Sequence, residues 1–190
     1  RRGNKMGHRW LSIERVMKVS SSVERADFLL VYPNPVLIAA EIRDGKLLPA
    51  RNKGRNPTMQ YQTAADLKYA QNQTENPVRF MPIRRPAPID GEPEDLWLTI
   101  GRIAECHIMI NDYTISKRHA RILVDMEQGR FVIKEEGSTN GTWVNGQRLG
   151  KAESCILSSG DSVRFGRHIF TFFKARGFYE FLKTMPPASS

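Results

Sequence analysis

The rhythm of apolar positions changes near residue 78. Before it, Leu11, Ile13, Val16 and Met17 recur at helical spacing, and Val23, Ala26, Phe28, Leu29 and Leu30 follow after Ser20-Ser21-Ser22. The mixed period predicts a short helix over residues 11–30, broken near the three serines. Two apolar runs, 28–31 and 36–42, flank Tyr32-Pro33-Asn34-Pro35, which reads as a turn, and Asp44-Gly45 is a hairpin signal. Residues 49–58 are basic, polar and Gly/Pro-bearing, hence loop. Residues 60–71 suit a short helix with Ala64, Leu67 and Ala70 on one face.

From Val78 onward, short β-prone runs alternate with turn residues. The runs are 78–83, 97–103, 107–110, 119–125, 130–135, 142–144, 162–166 and 168–174, with Gly, Asn, Asp, Ser and Pro between most of them. Many short strands at this spacing predict an all-β antiparallel sandwich. Phe178, Phe181 and Leu182 then fall at helical spacing before Pro186-Pro187. This predicts a short C-terminal helix docked on the sandwich. The chain thus divides into a partly ordered α/β segment at 1–75, a β domain at 78–174, and a terminal helix and tail at 175–190.

Composition fits a globular protein, with 40% apolar and 26% charged residues among 190. The net charge of +9 is uneven. Residues 1–55 hold twelve Lys/Arg against five Asp/Glu, a surplus of seven, so the rest of the chain supplies only two. The basic excess belongs to the N-terminal segment, which reads as a solvated arm more readily than as a nucleic-acid site, because no aromatic-rich basic motif stands there. Cys106 and Cys155 make neither a disulfide framework nor a metal spacing and suit a reducing, cytoplasmic setting. Cys106 and His107 are strand neighbours that point to opposite faces, so they cannot converge on one ion. No metal or cofactor is expected. Nor does any apolar stretch approach the roughly 18 residues of a membrane span. The chain opens on Arg1 without a signal-peptide pattern, as expected of a piece of something longer.

The chemistry lies in three turns of the β half. Gly101-Arg102 ends one strand, Ser116-Lys117-Arg118-His119 enters another, and Gly137-Ser138-Thr139-Asn140-Gly141 precedes a short strand that turns at Asn145-Gly146. A phosphate dianion needs cationic and hydroxyl donors on loops at one end of a rigid scaffold. Arg102 offers a charged fork, Ser116 a hydroxyl, Thr139 a hydroxyl or backbone N–H, and Lys117 a point charge. The Asn140 amide can both donate to and accept from a peptide main chain. Gly137, Gly141 and Gly146 permit the turns that gather these groups.

Taken in order with Ser159-Gly160-Asp161 and Phe165-Gly166, these motifs resemble the forkhead-associated (FHA) family over about half the chain. The resemblance implies an FHA-like β-sandwich that binds phosphothreonine in partner proteins downstream of Ser/Thr kinases. It also implies a preference for threonine over serine, whose missing methyl would leave a small pocket unfilled. Arg102, Ser116, Thr139 and Asn140 would contact the phosphothreonine or its backbone, and Asn145 would hold peptide or loop backbone. Gly101, His119 and Gly141 would be architectural, with Asp161 a turn residue.

Each residue singly has a plainer reading, as a solvated Arg or a turn-capping Ser or Asn. Their joint order makes the phosphate reading stronger. An enzyme would use Ser116, His119 and Asp112 as a nucleophilic triad, and that triad lacks both a nucleophile elbow and an oxyanion pair. Two non-catalytic roles compete with phosphate recognition: a phosphate-independent assembly domain, and nucleic-acid association through the basic N-terminal segment. The expected partner is a phosphothreonine-bearing protein, a Ser/Thr kinase or its substrate, rather than a membrane. Selectivity around the phosphothreonine is expected from the loops at 111–115 and 145–149, with Arg148 hinting at a downstream acidic residue.

Overall fold

The structure is a computed structural model that describes residues 11–43, 46–49, 78–84, 97–125 and 127–185. The chain begins with β1 (Leu11–Ser12), α1 (Ile13–Ser22), α2 (Arg25–Val31), β2 (Val36–Ile38), β3 (Ala40–Arg43) and β4 (Lys46–Pro49). It continues with β5 (Arg79–Pro82), β6 (Trp97–Gly101), β7 (Ile108–Met109), β8 (Ala120–Asp125) and β9 (Arg130–Glu135). Then come β10 (Thr142–Val144), β11 (Gln147–Arg148), β12 (Ser154–Ile156), β13 (Ser162–Phe165), β14 (His168–Phe173) and α3 (Ala175–Thr184).

Two sheets face each other. One runs β1-β5-β2-β14-β13-β10-β11, and the other runs β12-β9-β8-β6-β7. Among the described residues their pairings are antiparallel except β6 with β7. The period-two alternation explains the packing. Ala120, Ile122 and Val124 of β8, Phe131 and Ile133 of β9, Val163 and Phe165 of β13, and Phe170 and Phe172 of β14 all enter the core between the sheets. The strands β11 and β12 fall where the sequence shows no β run, because they are only two and three residues long and largely exposed.

The other face of the seven-stranded sheet is covered by helices. Ile13, Val16, Met17 and Ser20 are the buried stripe of α1, at i, i+3, i+4 and i+7. Phe178, Tyr179, Phe181 and Leu182 are the buried stripe of α3, the predicted terminal helix. Both stripes pack with Phe28, Val36, Ile38, Phe80 and Phe173 in a second apolar cluster. Ser20 and Ser21 donate their hydroxyls to the Met17 carbonyl and Ser22 donates to that of Val19, turning side chains onto the preceding helical turn. The helix breaks just after them, at Val23. Residues 28–31, an apolar run by sequence, lie within α2: Phe28 is fully buried, whereas Leu30 is 81% exposed.

β2 is the element that sequence patterning least prepares for. It lies between β14 and β5, with Thr171 opposite Ile38 and Leu37 opposite Met81. The N-terminal part of the chain therefore supplies an interior strand of the sandwich, and the sheet runs across the boundary that composition suggests at residues 75–78. Buried on both faces, β2 is apolar at all three positions, Leu37 facing the sandwich core and Val36 and Ile38 facing the helices. The strands β3 and β4 pair around positions 44–45, as the Asp44-Gly45 signal predicts. The helix expected at 60–71 lies outside the described residues. Among those described, no helix is long and apolar enough to cross a membrane.

The aromatic contacts of Phe28 make it the sensitive point of the helical layer. Its ring lies 4.9 Å from that of Tyr32, 5.1 Å from Tyr179 and 6.2 Å from Phe178. Phe28→Ala is expected to cost about 3–5 kcal/mol, read as a lower urea midpoint. Leu30→Ala, in the same helix but exposed, is expected to stay within about 0.5 kcal/mol of the parent.

Candidate functional site

The site is built where β6, the loop at 111–119 and the loop at 136–141 meet at one end of the sandwich. Gly101 is required by close approach. A Cβ there would sit 2.1 Å from the Lys117 carbonyl oxygen and 2.8 Å from Cys106 Sγ. That closeness lets the Arg102 N–H donate to the Ser116 carbonyl at 3.0 Å, while Arg102 Nε donates to the Ile115 carbonyl at 3.2 Å. The guanidinium is thereby anchored by its inner nitrogen. Among the described residues its two terminal nitrogens take no partner, and the side chain is exposed.

Ser116 and Thr139 join the two loops. The Thr139 N–H donates to Ser116 Oγ at 3.0 Å, and the Ser116 hydroxyl donates to Thr139 Oγ1 at 3.4 Å. Asn140 adds a second staple, its Nδ2 donating to the Thr114 carbonyl at 2.8 Å. Arg102, Ser116 and Thr139 are thus linked by direct hydrogen bonds, and Asn140 joins the same loop through Thr114. Lys117 follows Ser116 and is exposed. Asn145 is held elsewhere: with φ of 50°, it donates Nδ2 to Asp161 Oδ1 at 2.9 Å and accepts the Ser162 N–H at 2.9 Å. Its amide braces one turn against another and makes no bond to the other four. Asp161 also accepts the Ser158 N–H at 2.7 Å, so it closes its own turn.

His119 lies beneath this surface, with no solvent exposure. Its Nδ1 accepts the Ser116 backbone N–H at 3.2 Å, and its Nε2 lies 3.1 Å from the Gly141 carbonyl. This pair of partners assigns a neutral ring protonated on Nε2. Burial holds its pKa below the ordinary value, outweighing the Gly141 carbonyl and the charge of Glu135. Its own N–H donates to Ile100 and its carbonyl accepts from Glu136, so one residue connects β6, the 116 loop and the 141 loop. The triad alternative meets a different geometry. The Ser116 hydroxyl bonds Thr139 rather than the imidazole, and Asp112 faces Arg167 and His168.

Two supporting carboxylates escape a motif-based reading. Glu135 is buried beneath the 136–141 loop, where it accepts the N–H and the hydroxyl of Ser138. Burial raises its pKa, but the nearby Thr142 hydroxyl and the Ser138 donors outweigh it and keep the carboxyl below its ordinary range. Asp112 accepts the Thr114 N–H at 2.8 Å and its hydroxyl at 2.6 Å, and it pairs with Arg167 beside His168. Burial again opposes the charge, yet Thr114 and His168 bring its pKa to about 2. Asp112 therefore ties the loop before Ser116 to the β13–β14 turn. A signal for Glu135 exists in sequence, as an acid three residues before a loop serine, but it is a weak one. Among the described residues no group of three or more His, Cys, Asp or Glu could hold a metal.

The depressed His119 value fixes a pH dependence. The unfolded chain takes up the proton at about 6.5, before the folded protein does. Stability contributed by the neutral ring is therefore present above pH 6.5 and lost as pH falls through the folded value. Urea unfolding from about pH 8 to about pH 5 is expected to show a decline of at most about 1.4 kcal/mol per pH unit from this group. A His119→Gln variant is expected to lose that component.

Residues 98–166 match the family model of the FHA domain. The oxoglutarate dehydrogenase inhibitor of Corynebacterium diphtheriae is 39% identical over 74 residues, covering 39% of this chain and 48% of that protein. The glycogen accumulation regulator GarA of Mycolicibacterium smegmatis is 36% identical over 72 residues, covering 38% of this chain and 42% of that one. The chain thus spans less than half the length of these curated relatives. Among solved structures, Mycobacterium tuberculosis EmbR in complex with a low-affinity phosphopeptide is similar at 31% identity, covering 41% of this chain and 20% of that one, with a TM-score of 0.37. The family match spans the strands and loops that carry Arg102, Ser116, His119, Thr139 and Asn140, and residues 98–166 are those that match an FHA domain.

Proposed function

We propose that this chain is a phosphothreonine-dependent interaction module. It binds an extended peptide segment of a partner phosphorylated by a Ser/Thr kinase and works by recognition without catalysis. The observation that carries the reading is the Arg102 guanidinium, anchored through Nε with its terminal nitrogens available beside the Ser116 and Thr139 hydroxyls. A planar fork and two hydroxyls match the oxygens of a phosphate dianion. In this reading Lys117 adds charge at the rim. Asn140 exchanges or supplements its bond to the Thr114 carbonyl with bonds to the peptide backbone, and its carbonyl oxygen is available to accept. Asn145 acts by holding the turn beside the site. A cytoplasmic place for the protein goes with the kinase-linked role and with two free cysteines, Cys106 and Cys155.

Losing one charged partner of a bound dianion costs on the order of 2–5 kcal/mol. Arg102→Ala is therefore expected to weaken binding of a phosphothreonine peptide by at least about 30-fold in calorimetry. Binding as tight as the parent's would refute the site. Asn140→Ala is expected to weaken the same peptide while leaving its advantage over the unphosphorylated copy intact, because Asn140 grips main chain rather than phosphate. Equal affinity of the parent protein for phosphorylated and unphosphorylated peptides would favour a phosphate-independent assembly role.

A further inference from the structure

Three consecutive residues hold the groups assigned to the phosphopeptide. The Thr114 carbonyl accepts Asn140 Nδ2 at 2.8 Å, and the Ile115 carbonyl accepts Arg102 Nε at 3.2 Å. Ser116 Oγ accepts the Thr139 N–H at 3.0 Å. Any shift of this strip is therefore passed to all three. Residues 111–116 belong to no strand, so side-chain and turn contacts must set where the strip lies.

Those contacts come from the β13–β14 turn. Gly166 packs closely on Thr114: a Cβ there would stand 2.6 Å from the Thr114 carbonyl oxygen and 2.8 Å from its Oγ1. Arg167, next in the chain, reaches the strip in three ways. Its backbone N–H donates to Thr114 Oγ1 at 3.4 Å, its Nη2 donates to Asp112 Oδ2, and its guanidinium lies 4.9 Å from the centre of the Tyr113 ring. Asp112 passes the hold on, its Oδ1 accepting the Thr114 N–H at 2.8 Å and the Thr114 hydroxyl at 2.6 Å. The Asp112 side chain is 8% exposed and that of Arg167 26%, so water screens this pair less than a surface one. His168 Nε2 lies 3.1 Å from the same Asp112 oxygen but is charged only when protonated, which leaves Arg167 as the permanent counter-charge.

We infer that Arg167 is a positioning residue of the phosphopeptide site, acting through Asp112 and the 112–116 strip on Asn140, Arg102 and Thr139. The inference rests on the phosphothreonine reading of that site. Arg167 fixes the three acceptors in the free protein, so that binding does not bear the cost of ordering them. Without the guanidinium, Asp112 keeps a nearly buried charge with no permanent cation beside it, and the strip moves to bring that charge to water.

Calorimetry with one phosphothreonine peptide and its unphosphorylated copy tests this. Arg167→Met keeps bulk without charge and is expected to weaken the phosphopeptide about three- to tenfold. Arg167→Lys is expected to stay within about twofold of the parent, because Asp112 takes a single charged donor here rather than a fork. In an Asn140→Ala background, Arg167→Met is expected to cost much less than it does alone, since both changes remove the same grip. Amide exchange at Thr139 should quicken in Arg167→Met while β8 and β9 stay protected. An Arg167→Met protein that binds like the parent overturns the inference. So does an equal loss in both backgrounds, which would make Arg167 a direct ligand contact. If Arg167→Met does not fold, Asp112→Asn, isosteric and uncharged, replaces it with the same expected loss, and parental affinity in that variant overturns the inference. A parent protein that binds both peptide copies alike overturns the phosphothreonine reading itself, whereas a parent that discriminates while Arg167 has no effect overturns the positioning role alone.

Discussion

The buried imidazole of His119 is the constraint on which the site geometry depends. It accepts a backbone N–H from the loop of Ser116 and bonds the Gly141 carbonyl after Asn140, in a place without solvent exposure. Neither loop has a ladder of its own at these points, so the ring takes the place of missing strand-to-strand bonds. Only the neutral tautomer with its proton on Nε2 satisfies both partners. An exposed hydroxyl and an exposed amide, those of Thr139 and Asn140, thus lie on loops tied by a group without solvent exposure.

The supporting carboxylates extend the same logic outward. Glu135 seats the 136–141 loop from below, and Asp112 fastens the 111–117 loop to the β13–β14 turn. Both are anions kept charged by several donors despite burial, the condition under which a buried carboxylate orders its surroundings. Loops that would otherwise sample many conformations are pinned from inside, and the groups left on their outer surface are those that an anionic ligand can use. This preorganisation reduces the ordering cost of binding.

The seven-stranded sheet packs one face on the β core and the other on a helical layer. β2 joins the two regions, since it hydrogen-bonds to β14 and β5 and buries both its faces. The N-terminal part of the chain therefore contributes to the stability of the domain. Its basic surplus belongs to other residues than Arg102, Ser116 and Thr139, the loop groups to which phosphate recognition is assigned in the proposed function.

Local patterning was enough to specify the sandwich, the terminal helix and the order of the motif residues. Period-two alternation marks β8 and β9, helical spacing marks α3, and glycines mark the turns, with Gly137, Gly141 and Gly146 all at φ of 81°. The same patterning singled out Arg102, Ser116, Thr139 and Asn140, because those residue types at those turns have a shared chemistry. Adjacency across the chain came only with folding. The three apolar residues of β2 suit a helix, a core or a strand equally well, and only their partners in β5 and β14 choose between these. Asn145 is expected to hold peptide or loop backbone, and only folding supplies the Ser162 N–H and the Asp161 carboxylate, remote in sequence, that its amide engages. The pairing of Asp112 with Arg167 likewise depends on which side chains are brought within reach. Local pattern encodes conformation, whereas hydrogen-bond and charge partners are set by contacts that span more than a hundred residues in the case of β2 and β14.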